Sequence, residues 1–523
     1  MNELLEIITQ IEQNLAVSLR LWLPEICLGL TAIALLLQRM VFPAWRRGAS
    51  FIMFVGSVAA FAILIWQAAS PSVHASTVGA FLDLLRLDQL AAFFRGLILL
   101  FAVLFSVLTW LTRWPRVEDR GEFYVLFLGS VIGMSTMVAA ENLLLVFLGM
   151  EMASLPSYIL AGFEKRERRA GEAAMKFAVF GAAMAGVMLY GLGLLGGALG
   201  SLDLPTMGAN LIAMASSRDF HGHGLSLILG TLMVLAGIGF KLSAVPFHFW
   251  LPDVFEGAAA EVGAFLSVIS KAAALGLLTR LCLTLLGADQ AAAAGLPGPL
   301  VPFVVGTLSL LAAVTCTYGN LAAYGQTNFK RLLGYSTIAH AGYLMMPVAA
   351  AVAVLPLSRE MARWAVASML FYLVVYMFMN IVAFAGAAFL SRGAPGEKIE
   401  NYSGLVRAAP GFVVCLTLTL FSLVGLPPLG GFAGKFAIFA SLASAQLWAL
   451  LVVAALNTVF SLFYYVRVVK VMVLDPASES LSFSLPLSSP QGMFLVLATV
   501  PVVLLGILWQ PAFELVCWAA GCQ

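Results

Sequence analysis

Four ionisable residues stand inside long apolar runs: Glu151 in LLLVFLGMEMASLPSYIL, Lys241 in GIGFKLSAVP, Lys271 in SVISKAAALG and Lys435 in GLPPLGGFAGKF. A carboxylate and three amines so placed suit one kind of chemistry, the uptake and release of protons. Each is charged in one protonation state and neutral in the other, and apolar surroundings disfavour the charge. Glu151 lies about nine residues from either end of its run, too deep for the carboxylate to reach water, so it must pair or be protonated. A charge at that depth costs about 2.5 to 3.5 kcal/mol on insertion scales. Lys241 is similarly remote from both ends. Approach of Glu151 would favour its ammonium and withdrawal would favour proton release, so a helix pair with two arrangements would make a stroke. A static salt bridge is the plainer alternative for both. Lys271 has Ser267 and Ser270 beside it, which could hold water for a proton relay, although the small residues around it equally suit a tight helix contact with the lysine reaching a carbonyl. Lys435 follows Pro427, Pro428, Gly430, Gly431 and Gly434, a set of helix breakers that exposes carbonyls for water or a lysine to use.

A second group is open to more readings. Lys176 stands near the end of its run, where it could snorkel to the interface. His340 in YSTIAHAGYLM, with Ser336 and Tyr343 nearby, could pass protons near neutral pH or act as a hydrogen-bonded packing residue. His248, just past Pro246, could line an access path with Asp253 and Glu256, or belong to an interfacial aromatic turn. Glu25 follows Pro24 near the outer end of the first run and is left unassigned.

The elements that must position these residues are membrane helices. Of 523 residues, 62% are hydrophobic and 10% charged, whereas soluble globular proteins carry charge at roughly 25% of positions. Apolar runs of about 20 residues recur throughout, enough to cross a hydrocarbon core of roughly 30 Å as helices, and the alternation of membrane strands is absent. The expected fold is an all-α integral membrane protein with spans at 19–40, 51–69, 88–112, 122–140, 142–162, 173–197, 225–249, 259–284, 298–320, 331–353, 364–390, 410–443, 447–471 and 491–513. The N-terminus is acidic where a signal peptide would be basic, so the first run is expected to remain as a helix. Arg46, Arg47, Arg113, Arg116, Arg120, Lys165, Arg166, Arg168, Arg169, Lys330, Arg331, Arg392, Lys398 and Arg407 fall in odd-numbered connections. Arg218, Arg280, Arg359 and Arg363 are the main exceptions, and the bias puts odd connections in the cytoplasm and both termini outside.

Spans four to eight and nine to thirteen match as an inverted repeat, since five helices is an odd number. The second helix of each carries a titratable residue (Glu151, then His340), and the fourth carries a lysine beside glycine and proline (Lys241, then Lys435). Breakers at corresponding helices of two repeats point to an ion site. The expected division is 1–121 (three helices), 122–284 (first repeat), 298–471 (second repeat) and 491–523 (last helix). The six cysteines include no CxxC pair, so a metal, iron–sulfur centre or disulfide framework is not indicated, and no basic stretch suits nucleic acid.

The motifs GMEMASLPSY, GFKLSAVPFHFWLPDVFEGA, SVISKAAALG, KRLLGYSTIAHAGYLM and SLVGLPPLGGFAGKF resemble the antiporter-like subunits shared by respiratory complex I, membrane-bound hydrogenases and multisubunit cation/proton antiporters. The resemblance runs over spans four to thirteen. Within the family the chain is most similar to the subunit N branch of NADH-quinone oxidoreductase, through Lys435 where larger paralogues have glutamate, the segment EKIENYSGLVRAAP, and an end soon after span fourteen. His340 departs from that branch, where glutamine or a similar polar residue is common. The resemblance implies fourteen helices and a proton path in which Glu151 partners Lys241, Lys271 connects, and Lys435 faces the outer half-channel. It implies a bacterial inner-membrane location, surrounding lipid, and other membrane-arm and peripheral subunits of complex I as partners. It also implies no redox site or cofactor in this chain, with NADH, FMN, iron–sulfur clusters and quinone in partner subunits. Two alternatives stand beside proton pumping in complex I: a subunit of a multisubunit cation/proton antiporter or membrane-bound hydrogenase, and a structural scaffold without ion conduction.

Overall fold

The computed structural model describes residues 14–42, 45, 48–69, 78–116, 119–216, 220–287, 300–393, 396–476 and 483–522. Its main helices are α1 (Leu23–Val41), α2 (Gly48–Ala69), α3 (Gln89–Thr112), α4 (Arg120–Ala139), α5 (Leu143–Ala161), α6 (Arg168–Leu199), α7 (Leu204–Ser216), α8 (Phe220–Leu242), α9 (Trp250–Gly257), α10 (Ala260–Leu286), α11 (Leu300–Ala323), α12 (Phe329–Val354), α13 (Arg359–Gly393), α14 (Pro410–Val424), α15 (Gly430–Ser444), α16 (Trp448–Val473), α17 (Pro490–Ile507) and α18 (Trp509–Ala520). Among the described residues, thirteen helices are long and apolar enough to cross a membrane. The twelfth expected span, 410–443, is divided into α14 and α15, each of 15 residues and so too short to be counted among them.

The seventh span, 225–249, is broken near Pro246, as its proline suggested. α8 stops at Leu242, Ser243 takes φ 61°, and the chain resumes as the eight-residue α9. Pro246 has no N–H to donate and disfavours α geometry in the residue before it, so the helix cannot run through. The fourteenth span likewise ends at Ile507 and restarts at Trp509. Two elements were not legible as spans: α7, and a hairpin pairing β1 (Val78–Ala80) antiparallel with β2 (Leu85–Leu87).

Contacts divide the chain into two compact units: Met1–Leu160 with Ala185–Gly237 and Ala272–Gly295, and Ala161–Met184 with Ile238–Lys271 and Leu296–Gln523. In the first, Arg280 corrects its reading as an exceptional loop charge: it lies buried within α10 and is bidentate to Asp88 at 2.8 and 3.0 Å. Asp88 also caps α3, accepting from Ala91 N–H at 2.8 Å. Burial would raise the Asp88 carboxyl, but Arg280 outweighs it and holds the group below the usual carboxylate range. Glu25 is also buried, and Arg95 Nε donates to it at 2.8 Å.

One close helix pair in each unit sets the helix that carries a titratable residue. A Cβ on Gly133 of α4 would stand 2.5 Å from Ala153 N of α5, and one on Gly319 of α11 would stand 2.5 Å from Ala339 N of α12. Only glycine permits such backbone approach. Glu151 lies two residues before the first contact and His340 one residue after the second.

Candidate functional site

The interruption after α8 leaves carbonyls without the N–H groups of a following turn. Lys271, on α10 and fully buried, supplies donors to them: Nζ donates to Leu242 O at 2.5 Å and to Ser243 Oγ at 3.0 Å. Lys241 is buried in the last turn of α8, where a cation meets the negative end of the helix dipole. The connection is held by Ala244 N–H to Gly239 O at 2.7 Å and by Val245 N–H to Thr315 Oγ1 at 2.9 Å. Trp250 stacks on Phe177 at 4.0 Å and donates Nε1–H to Phe240 O at 3.3 Å, which fixes where the chain restarts.

The interruption between α14 and α15 is built on the same chemistry. α14 ends at Gly425, whose φ of 91° is left-handed, and a Cβ there would stand 3.0 Å from Lys435 Cδ. The Lys435 stem therefore needs glycine at that turn. Nζ of the buried Lys435 donates to Leu423 O at 3.0 Å and Val424 O at 2.9 Å and sits 4.5 Å above the Tyr343 ring. Two oriented carbonyls, a helix C-terminus and a ring face thus surround the buried Nζ. Among the described residues, neither Lys271 nor Lys435 forms an ion pair with an acidic side chain. The two broken helices differ in one respect: Lys241 precedes its break and Lys435 follows its own.

His340 is buried, with Nδ1 2.7 Å from Tyr372 Oη and Nε2 3.4 Å from Tyr465 Oη. Tyr465 Oη also forms a short hydrogen bond with Ser336 Oγ. Ser336, Tyr465, His340 and Tyr372 thus form one string of hydroxyl and imidazole groups, each able to donate and to accept. The His340 ring lies 6.0 Å from that of Tyr343, the ring under Lys435. The structure brings His340, Ser336 and Lys435 into one neighbourhood.

Lys176 does not snorkel alone. Nζ pairs with Asp253 at 2.6 Å and with Glu172 at 2.8 Å. Arg331 pairs with Asp253 at 2.7 Å and Glu256 at 2.8 Å, and these side chains line a cleft of about 210 Å³. Burial would raise the Asp253 carboxyl, but the hydrogen bonds from Lys176 and Arg331 prevail and hold it below the usual range. His248 lies apart from this network, buried with its ring 4.4 Å from those of Phe249 and Tyr318. Glu151 belongs to the first unit, half-buried on α5.

Sequence reasoning missed Tyr372, Tyr465 and Arg331 as members of these networks. A tyrosine four residues from another on one helix (Tyr372, Tyr376) and the pair Tyr464–Tyr465 were available signals, since a phenol in an apolar run needs a partner.

An all-α, multi-pass membrane chain whose interrupted helix ends are capped by buried lysines is of the antiporter-like class. Residues 140–461 match the family described as NADH:quinone oxidoreductase/Mrp antiporter, TM. The chain is 35% identical over 517 residues to NADH-quinone oxidoreductase subunit N of Anaeromyxobacter sp. (strain Fw109-5), covering 96% of each. A chain of respiratory complex I from Thermus thermophilus with bound aureothin is similar at 30% identity and TM-score 0.74, over 94% of this chain and 98% of that one. A chain of the Mrp complex from Dietzia sp. DQ12-45-1b matches at TM-score 0.77 and 16% identity over 97% of both, a likeness of fold alone. The chain belongs to the NADH-quinone oxidoreductase subunit N family.

Proposed function

We propose that the chain moves protons across the bacterial inner membrane as a membrane-arm subunit of an NADH:quinone oxidoreductase. The observation that carries this reading is the pair of lysine caps. Lys271 and Lys435 are buried lysines held by main-chain and hydroxyl oxygens and, among the described residues, without a carboxylate counter-ion, so their charge is not locked by a permanent ion pair. In the proposed path, protons enter from the cytoplasmic side at the Lys176, Asp253 and Arg331 cleft and reach Lys241, whose charge Glu151 modulates. Lys271 passes them on, and the string through Ser336, Tyr465, His340 and Tyr372 leads to Lys435, which releases outward. The repeats 122–284 and 298–471 supply the two half-channels, and both termini face the outer side. NADH, FMN, iron–sulfur clusters and quinone are placed in partner subunits; this chain's residues bind and hand on protons.

The test uses inside-out membrane vesicles of the native host energised with NADH. Lys271→Ala and Lys435→Ala should each lower acidification of the lumen while the complex stays assembled and keeps its NADH oxidation by artificial acceptors. Wild-type pumping in both variants would sink the proposal, and loss of assembly with normal pumping per assembled complex would favour the scaffold reading.

A further inference from the structure

At its C-terminal end α18 closes in a tight turn that places two cysteines together. Gly521, at φ 74°, donates N–H to Trp518 O at 3.0 Å, and Cys522 donates N–H to Cys517 O at 2.9 Å. This pair of bonds defines a Schellman turn, in which the side chains three residues before and two residues after the helix end meet. Those positions are Cys517 and Cys522, so the turn brings their side chains toward each other. Both are free thiols, the first buried and the second partly exposed.

We infer that Cys517 and Cys522 are a modification site that is oxidised to a disulfide on the outer face of the membrane, clasping the last turn of the chain. The inference rests on the proposed outer location of the C-terminus, because thiols persist in the cytoplasm and disulfides form outside it. The oxidant is a thiol–disulfide oxidoreductase in its disulfide form. One cysteine thiolate attacks that disulfide, forms a mixed disulfide and releases the enzyme's first thiolate. The other cysteine thiolate then attacks the mixed disulfide, forms the Cys517–Cys522 bond and releases the second. Two thiol protons leave the chain and two electrons reduce the enzyme's disulfide. Burial and the adjacent Cys517 push the Cys522 thiol up to about 12. Such a thiol is a poor leaving group, so the finished bond resists reduction.

The experiment is differential alkylation of the native complex. Membranes are quenched in acid, free thiols are blocked in denaturant with one maleimide, and a second, heavier maleimide is added after reduction; the C-terminal segment is then read by mass spectrometry. Cys517 and Cys522 should carry the heavy label alone, and in a Cys522→Ser variant Cys517 should take the first label. Light label on both in the wild type overturns the inference, as does a Cys517 still protected in the variant, which would show a different partner. In parallel, a membrane-impermeant maleimide is applied after reduction to right-side-out and inside-out vesicles. Labelling of Cys522 only in inside-out vesicles overturns the outer location and the inference with it; labelling in right-side-out vesicles with free thiols throughout overturns the disulfide alone.

Discussion

Lys271 and Lys435 are held by oxygens that carry partial charge, and this separates them from Lys176, Arg280 and Arg95, each of which faces a carboxylate. A carboxylate would fix the ammonium, whereas carbonyls favour it only moderately. Two substitutions bracket the difference at Lys435. Methionine holds the position neutral and arginine holds it charged throughout the physiological range, so both are expected to lower NADH-driven proton pumping at least about tenfold in assembled complex. Wild-type pumping by Lys435→Arg would mean that only the charge matters and no proton leaves. At Asp253 the expectation concerns pH. Its depressed carboxyl adds stability that is fully present above the unfolded carboxylate range, near roughly 3.9, and is lost as pH falls through the lower folded value. Thermal unfolding in detergent should show wild type exceeding Asp253→Asn by about 1 kcal/mol, flat from neutral pH downward and vanishing only in strong acid, since these side chains are partly exposed. Sequence revealed Lys271, Lys435 and His340 because they interrupt apolar runs. Their partners were hidden, because Leu242 and Val424 are freed as acceptors by breaks in nearby helices and Tyr465 is brought in by a helix distant in the chain.

At the scale of elements, Asp88 joins a helix cap to a buried ion pair, and two substitutions separate the roles. Asparagine is as good a cap as aspartate but leaves Arg280 buried without its counter-charge, so Asp88→Asn should cost about 3 to 5 kcal/mol. Asp88→Ala should cost about 1 kcal/mol more. Equal losses in the two variants, measured by denaturation in detergent, would show that the cap contributes nothing. Gly319→Ala puts a methyl where α12's backbone already lies, and overpacking of that kind costs about 1 to 3 kcal/mol; the pumping of what remains assembled should fall as well, because the displaced residue, Ala339, adjoins His340. Helix positions were legible from hydropathy and the breaks from proline and glycine. The stop at Ile507 was not, because a run of apolar residues reads the same whether its helix continues or turns. Arg280 was misread for the related reason that its carboxylate partner is almost two hundred residues away in sequence.

For the whole molecule, burial within the chain ranks the helices. α10, α12 and α13 are almost wholly enclosed, whereas fewer than a third of the residues across the most apolar stretch of α1, α6 and α11 are buried. Gentle extraction of the tagged chain from its native host should recover flavin, iron and NADH:quinone activity. Recovery with hydrophobic subunits but no redox centre would favour the cation/proton antiporter. The fold class and the family were within reach of the sequence, because buried charges beside helix breakers are rare enough to be distinctive. The hairpin and α7 were out of reach, being short elements whose patterns do not differ from those of connections.

The lysine caps have a further consequence in the valence of nitrogen. An ammonium has three N–H bonds, and Lys435 commits two of them to Leu423 O and Val424 O. A neutral amine keeps two N–H bonds and gains a lone pair. Loss of the proton therefore leaves both helix-end oxygens satisfied and changes only the third direction, from donor to acceptor. If Lys435 exchanges a proton as proposed, the bonds that hold the helix ends and the bond that exchanges it are different bonds of one nitrogen, so the proposed site empties and refills without the broken helix coming undone.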